Sequence, residues 1–434
     1  MRIVIEDEVA PEANAMLQAL YSRSASSVVD HLARVQERGF RKFMESYYVG
    51  YGHESIGDCG FTTIFIEDVS ILTCKAVQDT PLYFGQETST RYLDFSAQGY
   101  SDPVGSATSE AVIRGWLDLY AEVNAETLAD LQASQPCPEG VKETVWAKTL
   151  EARAFDIARG FLPAGIHSQL SWTTNLRQAA DHLRDLATHP LSETRAVADK
   201  ILADLKERYP GSFSHKDYPA QSAYRAMTAG GEAYYRGQAD HPAFAYVCSA
   251  DRAGIDLIDR RVFTDRPKYE PLPRRAGSYA SFECQFLLDF GSFRDVQRHR
   301  NGFCEMPLLS WAHGFHPWYL ESLPAPTRAA VEPRMEALRA EAEKLATSEE
   351  ERQNYLPLGL LVPCRVVYDL RQMAYVAELR SGKTVHATLR TVAHRLHDAV
   401  KAEFPFVALH CDMEASDLDA RRGTQDIKPV DSQQ

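Results

Sequence analysis

Two clusters of residues in this chain have the types and spacing to do chemistry on a small anionic ligand. Arg298-His299-Arg300 sets two permanent cations around a titratable ring, directly after an apolar, strand-like run. Donors packed this closely can converge on a phosphate or on the polar edge of a bound ring, although a basic triplet is also common as plain surface charge. The second cluster is Gln86-Glu87-Thr88-Ser89-Thr90-Arg91-Tyr92. On an extended segment Glu87, Ser89 and Arg91 project to one side, and a carboxylate, a hydroxyl and a guanidinium there suit a sugar and a phosphate. A solvated strand edge is the competing reading.

The elements that must position these clusters are written twice. Leu162-Pro163 is followed, after eleven intervening residues, by Asn175-Leu176-Arg177-Gln178, and Leu356-Pro357 is followed at the same spacing by Asp369-Leu370-Arg371-Gln372. Each copy runs in one order: a helical stretch, apolar strand-like segments, a polar motif, a charged helical segment, Leu-Pro and a further long helix. Residues 61–67 have strand composition, and Glu110 to Leu131 carries helical spacing behind Ser109 as a candidate cap. In the second copy Ser281 to Phe290 is the expected strand, and Arg328 to Glu351 a charge-rich helix. The expected organisation is a first repeat over 1–205, a linker over 206–235, a second repeat over 236–410 and a polar, disordered tail over 411–434.

Composition bounds the function classes. A chain of 434 residues with 44% hydrophobic and 25% charged residues is long enough for more than one domain-sized core. A net charge of −13 leaves no basic stripe for polymeric nucleic acid, while local arginines can still bind a small anion. The acidic N-terminus lacks a signal-peptide core and no apolar run has membrane-spanning length, so the expectation is a cytoplasmic protein with no membrane contact. The eight cysteines show no metal-ligand spacing and read as reduced core thiols, so no metal is expected.

Taken together, the motifs resemble the flavin-dependent thymidylate synthases, whose signature is Arg-His-Arg-x-x-Ser-x-Asn-Glu-x-Ser-x-Arg. That family places Gly-His-Glu-Ser before the signature, and Leu-Pro, Asn-x-Arg and a late arginine after it. Here the pieces are divided between the copies. The first keeps Gly52-His53-Glu54-Ser55 and Gln86 to Arg91, but reads Asp79-Thr80-Pro81 in place of Arg-His-Arg. The second keeps Arg298 to Arg300, but reads Met306, Leu308 and Ser310 where Glu, Ser and Arg belong. The arginine before Leu-Pro is Arg159 in the first copy and Gln353 in the second; the late arginine is Leu186 in the first and Arg380 in the second. In the family each site lies between subunits, and one complete complementary set is what this chain retains.

The resemblance implies an α+β fold of two tandem thymidylate-synthase-like copies, each an antiparallel sheet with flanking long helices. It implies that Glu87, Ser89, Arg91, Arg159 and Arg298 hold the nucleotide. Arg380 would stabilise negative charge at N3 and O2 of the pyrimidine, making C5 nucleophilic without a cysteine adduct, and is the expected catalytic residue. His53, Ser55, Arg298, His299 and Arg300, with Asn175 and Arg177, would bind FAD, with NADPH and methylenetetrahydrofolate as co-substrates. Which copy's Asn/Asp-x-Arg element serves the flavin is open. The implied reaction is C5 methylation of dUMP to dTMP. Asp295, where the family has glutamine, leaves room for another pyrimidine nucleotide such as UMP, and a flavin- or nucleotide-binding homologue without turnover is a further alternative. A homodimer would rebuild the family's tetramer, with two complete sites and two vestigial ones marked by Asp79, Pro81, Leu186 and Leu308.

Overall fold

A computed structural model describes residues 1–6, 10–21, 54–213, 218–414 and 418–424. The strands form two antiparallel sheets. In the first, β1 (Arg2–Glu6), β2 (Phe61–Ser70) and β3 (His167–Asn175) lie in that order; in the second, β4 (Phe244–Ala250), β5 (Ala280–Asp289), β7 (Leu361–Asp369) and β6 (Phe303–Cys304) follow one another. The helices that matter for the site are α1 (Pro11–Tyr21), α2 (Ile71–Gln78), α3 (Ala107–Ser134), α4 (Glu143–Ala158), α5 (Leu176–Leu186) and α6 (Ser192–Arg208). In the second repeat they are α7 (Phe290–Val296), α8 (Ala325–Lys344), α9 (Leu370–Arg380) and α10 (Ala387–Glu403).

The duplication read from the sequence is written into the backbone. β2 and β5 are each ten residues long and run straight into α2 and α7, through Ser70 and Asp289 as N-caps. β3 and β7 are each nine residues and lead into eleven-residue helices, α5 and α9, capped by Asn175 and Asp369. An oxygen on a short side chain at the N-cap accepts a backbone N–H that the helix cannot satisfy, which is why Asn and Asp both serve there. β2 buries Thr62, Ile64 and Ile66 and turns Phe61 and Phe65 outward, the two-residue period of a half-buried strand. Its register against β3 shifts between Ile66 and Val69, where Asp68 takes a left-handed φ of 57°.

The two repeats meet at the Leu-Pro motifs. The Ala164 amide donates to the Leu356 carbonyl at 2.8 Å, and the Leu358 amide to the Leu162 carbonyl at 2.9 Å; Gly165 to Asn354 and Gly359 to Gly160 form a second matched pair. These are the same contacts read in both directions, so a pseudo-two-fold axis passes between Pro163 and Pro357. The larger hydrophobic core takes residues from both repeats, among them Trp116, Phe161 and Ile166 of the first and Phe286, Tyr355 and Leu360 of the second. Each fully buried large side chain contributes roughly 1.5–3 kcal/mol, so the halves stabilise one another. A smaller core around Ile64, Trp172, Leu183 and Ile201 belongs to the first repeat alone.

Several local expectations need correction. α3 begins at Ala107, and its cap is Ser106 in a reciprocal capping box with Ser109, so Ser109 sits inside the helix. The charge-rich helix stops at Lys344, and Glu349–Arg352 is a separate turn, because Ser348 starts a new cap. Helix α6 runs to Arg208, past the expected start of the linker, and Pro219–Arg225 within that linker is helical. Cys137 is exposed, so not every cysteine is a core thiol. In the tail, Ala420–Thr424 forms a helical turn that buries Arg422 against the body of the protein.

A composite candidate active site between the repeats

The segment carrying Glu87 lies along the free edge of β3: the Thr173 amide donates to Phe84, that of Ser171 to Gln86, and the Thr88 amide to Gln169. Extended geometry lasts to Glu87, and the chain turns by Thr90. Glu87, Ser89 and Arg91 therefore do not share one face of a strand, contrary to the alternation read from the sequence.

Glu87 points inward. Its side chain is 1% exposed and pairs with Lys75 at 2.7 Å and Arg294 at 2.6 Å, while the Gln78 amide donates to it at 3.0 Å. Lys75 and Arg294 hold the same place on α2 and α7, so the two cations converge from opposite repeats on one carboxylate. Burial alone would raise the Glu87 pKa; the Arg294 charge, and then that of Lys75, override it and hold the carboxyl at about 2. A side chain expected to contact substrate thus has its oxygens committed to an ion triad that ties the halves together.

Arg91 reaches across the same boundary. It grips Asp156 with Nε at 2.6 Å and Nη2 at 3.0 Å, and Nη2 also donates to the Thr384 carbonyl of the second repeat. Arg422 from the C-terminal turn shares Asp156, and the two guanidinium groups keep that buried carboxylate far below its ordinary range. Ser89 Oγ accepts from the Arg91 amide at 3.3 Å.

Arg159 is fully buried and belongs to a closed network. Its Nη2 donates to Ser292 Oγ at 2.6 Å and lies 3.5 Å from Asp289, which also accepts from Tyr319 at 2.7 Å and from Thr388 at 2.5 Å. His386 completes this layer, its Nε2 donating to the Asp156 carbonyl at 3.1 Å. Burial, and then the charge of Arg159, lower the His386 pKa well below its usual value, so it is the neutral tautomer that fits. The first repeat exchanges these roles: Ser70 caps α2, and the carboxylate is Glu193, which takes hydroxyl hydrogen bonds from Ser70 and Thr73.

Around Asp295, Arg380 donates through Nε to His299 Nε2 at 2.8 Å and through Nη2 to the Asp295 carbonyl at 2.9 Å. Arg298 and Arg380 each place Nη1 3.6 Å from Asp295 Oδ1. Burial opposes the charged form of Asp295, yet Arg380, then Arg298, Arg91 and Arg159, hold its carboxyl far down. Arg298 and Arg380 of the divided set are therefore the two that flank this carboxylate. Burial and the neighbouring Arg380 push His299 down to about 3; it is neutral, accepts at Nε2 and carries its proton on Nδ1. Arg300 stacks 4.7 Å over the Tyr83 ring, and its buried Nε and Nη2 have no partner among the described residues.

The remaining sequence candidates stand elsewhere. Asn175 caps α5, accepting from the Gln178 amide at 2.8 Å, and Arg177 makes a two-pronged contact with Asp58 at 2.7 and 2.8 Å. Asp58 belongs to the turn Glu54–Cys59, so the Asn-x-Arg element adjoins that turn. His53 lies outside the described residues. Sequence reasoning missed Lys75, Asp156, Asp289, Arg294, His386 and Arg422. Lys75 and Arg294 were findable, as basic residues at matched positions of the repeated helix; Asp156, His386 and Arg422 carry no motif and meet only through the tertiary fold.

No group of His, Cys, Asp and Glu among the described residues has the arrangement of a metal site, and no described helix is long and apolar enough to cross a membrane. A UPF0159 protein of Chlamydia pneumoniae is 25% identical over 450 residues, spanning 89% of this chain and 83% of its own. A UPF0159 protein of Thermoplasma acidophilum is 22% identical over 469 residues, spanning 90% and 93%. Among solved structures, Helicobacter pylori thymidylate synthase X with FAD and dUMP aligns at 13% identity and a TM-score of 0.30, over 49% of this chain and 97% of its own; a likeness at that level fixes nothing about this site. The family model described as thymidylate synthase complementing protein matches residues 5–211. Over that first repeat, the chain is similar to the thymidylate synthase complementing proteins.

Proposed function

We propose that the chain is a flavin-dependent methyltransferase acting at C5 of a pyrimidine nucleotide, with dUMP as the leading substrate and one composite site per chain. The observation that carries this reading is that the two halves of the arginine set meet at the boundary between the repeats: Arg91 reaches the Thr384 carbonyl and Arg159 reaches Asp289 and Ser292 of the second repeat, where Arg298 and Arg380 flank Asp295. The site is also locally cationic in an acidic protein: Lys75, Arg91, Arg159, Arg294, Arg298, Arg300, Arg380 and Arg422 outnumber Glu87, Asp156, Asp289 and Asp295. Such a surplus suits an anionic ligand.

In this reading Arg298, its side chain 45% exposed, is the open cation for a phosphate. Arg380 is oriented by His299 and the Asp295 carbonyl, and its remaining Nη1, 3.6 Å from Asp295, is held in place with N–H donors to offer a pyrimidine N3 or O2. Neutral His299 matters here, because a second cation against Arg380 would repel it. Arg91 and Arg159 are held by Asp156 and Asp289 and act through the shape and potential of the site. The unpartnered Nε and Nη2 of Arg300 beside Tyr83 fit the polar edge of a flavin. Bound there, FAD would supply redox chemistry, with NADPH as reductant and methylenetetrahydrofolate as carbon source. Asp295 can alternatively accept a ribose 2′-hydroxyl, which keeps UMP as a second substrate.

The test incubates the protein with FAD, NADPH, methylenetetrahydrofolate and equimolar dUMP, UMP, dCMP and CMP, followed by mass spectrometry of the nucleotides. Methylated dUMP that disappears in both Arg91→Ala and Arg380→Ala supports one site shared by the repeats. Methylation of another nucleotide changes the substrate, and bound flavin without any product overturns the catalytic reading.

A further inference from the structure

The pseudo-two-fold axis that builds the composite site also generates its mate, and the mate is a cavity of about 640 Å³. Counted along the matched elements, Asp79 holds the place of Arg298, Leu186 that of Arg380, Ala76 that of Asp295 and Met306 that of Glu87, and all four line this cavity. The linker between the repeats supplies much of the remaining wall, including Glu232 and Tyr234. Its volume lies within the ordinary range of small-molecule sites.

We propose that this cavity is a second ligand site, taking a small organic cation of the arylalkylammonium class with its N–H donors at the Asp79 end. The charge pattern of the composite site is inverted here: the two arginines that would meet the nucleotide, Arg298 at its phosphate and Arg380 at its base, are replaced by a carboxylate and a leucine. The one arginine in the wall, Arg236, is already paired with Glu349 and Glu350. Behind the cavity wall, Gln297 donates its amide to Asp79 at 3.2 Å and to the Lys75 carbonyl at 3.1 Å, which fixes its orientation. Its oxygen is left buried with no partner among the described residues. A carboxylate in the cavity wall with no ion-pair partner among the described residues calls for a donor carrying positive charge.

No ion pair to Asp79 forms among the described residues. Asp79 is exposed to the cavity, and the described groups that face its carboxyl are the Gln297 amide and the charges of Arg300 and Lys75. Tyr234, whose ring packs edge-on against His189 at 5.6 Å, offers an aromatic wall to the body of the ligand. Burial lowers the pKa of both lining histidines, His182 and His189, so neither adds a competing cation near neutral pH.

The site is independent of turnover at the composite site, and its test is independent too. Saturation-transfer difference NMR on the full chain uses phenethylammonium as probe, benzyl alcohol as neutral comparator and dUMP as competitor. The expected result is a signal from phenethylammonium, little from benzyl alcohol, no displacement by dUMP, and at least a fivefold loss in Asp79→Asn. Ala233→Trp fills the cavity from the linker side without touching a carboxylate and should abolish the signal. A melting curve for each variant confirms folding, and an unfolded Asp79→Asn is replaced by Glu232→Gln as the charge test. Absence of any phenethylammonium signal, its survival in Ala233→Trp, or its displacement by dUMP overturns the proposal.

Discussion

Replacing Glu87 by glutamine preserves shape and removes the one charge that Lys75 and Arg294 share. The Glu87 carboxyl sits at about 2 against an ordinary 4.5. At about 1.4 kcal/mol per pH unit, that gap places roughly 3 kcal/mol in the folded state. Stripping a buried pair of its counter-charge points to a similar cost, about 3–5 kcal/mol. Unfolding entropy of about 2.1 cal/mol/K per residue makes this a melting-point drop of about 3–5 °C for cooperative unfolding of the whole chain. Because the folded pKa lies below the unfolded one, the stabilisation is complete above about pH 4.5 and is lost as pH falls towards 2. Thermal melts of wild type and Glu87→Gln, followed by circular dichroism from pH 7 downwards, should therefore converge in that window. A variant melting within about 1 °C of wild type at pH 7, or a gap that does not change with pH, refutes the triad as a clamp between the repeats and returns Glu87 to a purely ligand-facing role.

Asp295→Asn should free Arg298 and Arg380 and tighten dUMP binding about tenfold by calorimetry, with a steeper salt dependence; unchanged or weaker binding would mean that Asp295 does not compete with the nucleotide. Arg300→Ala should weaken FAD binding at least tenfold by flavin fluorescence quenching, with little change in melting temperature, since two of its nitrogens have no hydrogen-bond partner among the described residues; unaltered flavin affinity would place the cofactor elsewhere. Arg422→Ala should lower stability by roughly 1–3 kcal/mol in urea titrations and expose residues 418–424 to protease, because Asp156 loses one of its two guanidinium partners; an unaffected variant would show that the C-terminal turn is dispensable.

The sequence by itself determined the duplication, because matched spacing around Leu-Pro and the tetrads at Asn175 and Asp369 survives divergence: N-caps and tight inter-repeat backbone contacts tolerate few residue types. It also determined which half of the arginine set each copy keeps, since loss of a cation to Leu186 or Gln353 is visible residue by residue. The strand composition of residues 61–67 was legible for the same local reason, whereas the helix caps at Asn175 and Asp369 emerged only from the structure. Only the tertiary structure decided what the charges do. Glu87 and Arg91 are separated by a turn that no alternation rule foresees, and their partners, Arg294 and Asp156, lie far along the chain, joined by the axis through Pro163 and Pro357. Arg422 reads as tail charge until the fold brings Asp156 beneath it. Ion-pair partners are chosen by proximity in a buried environment, where an uncompensated charge is costly. Proximity across a pseudo-two-fold axis belongs to the packed chain alone.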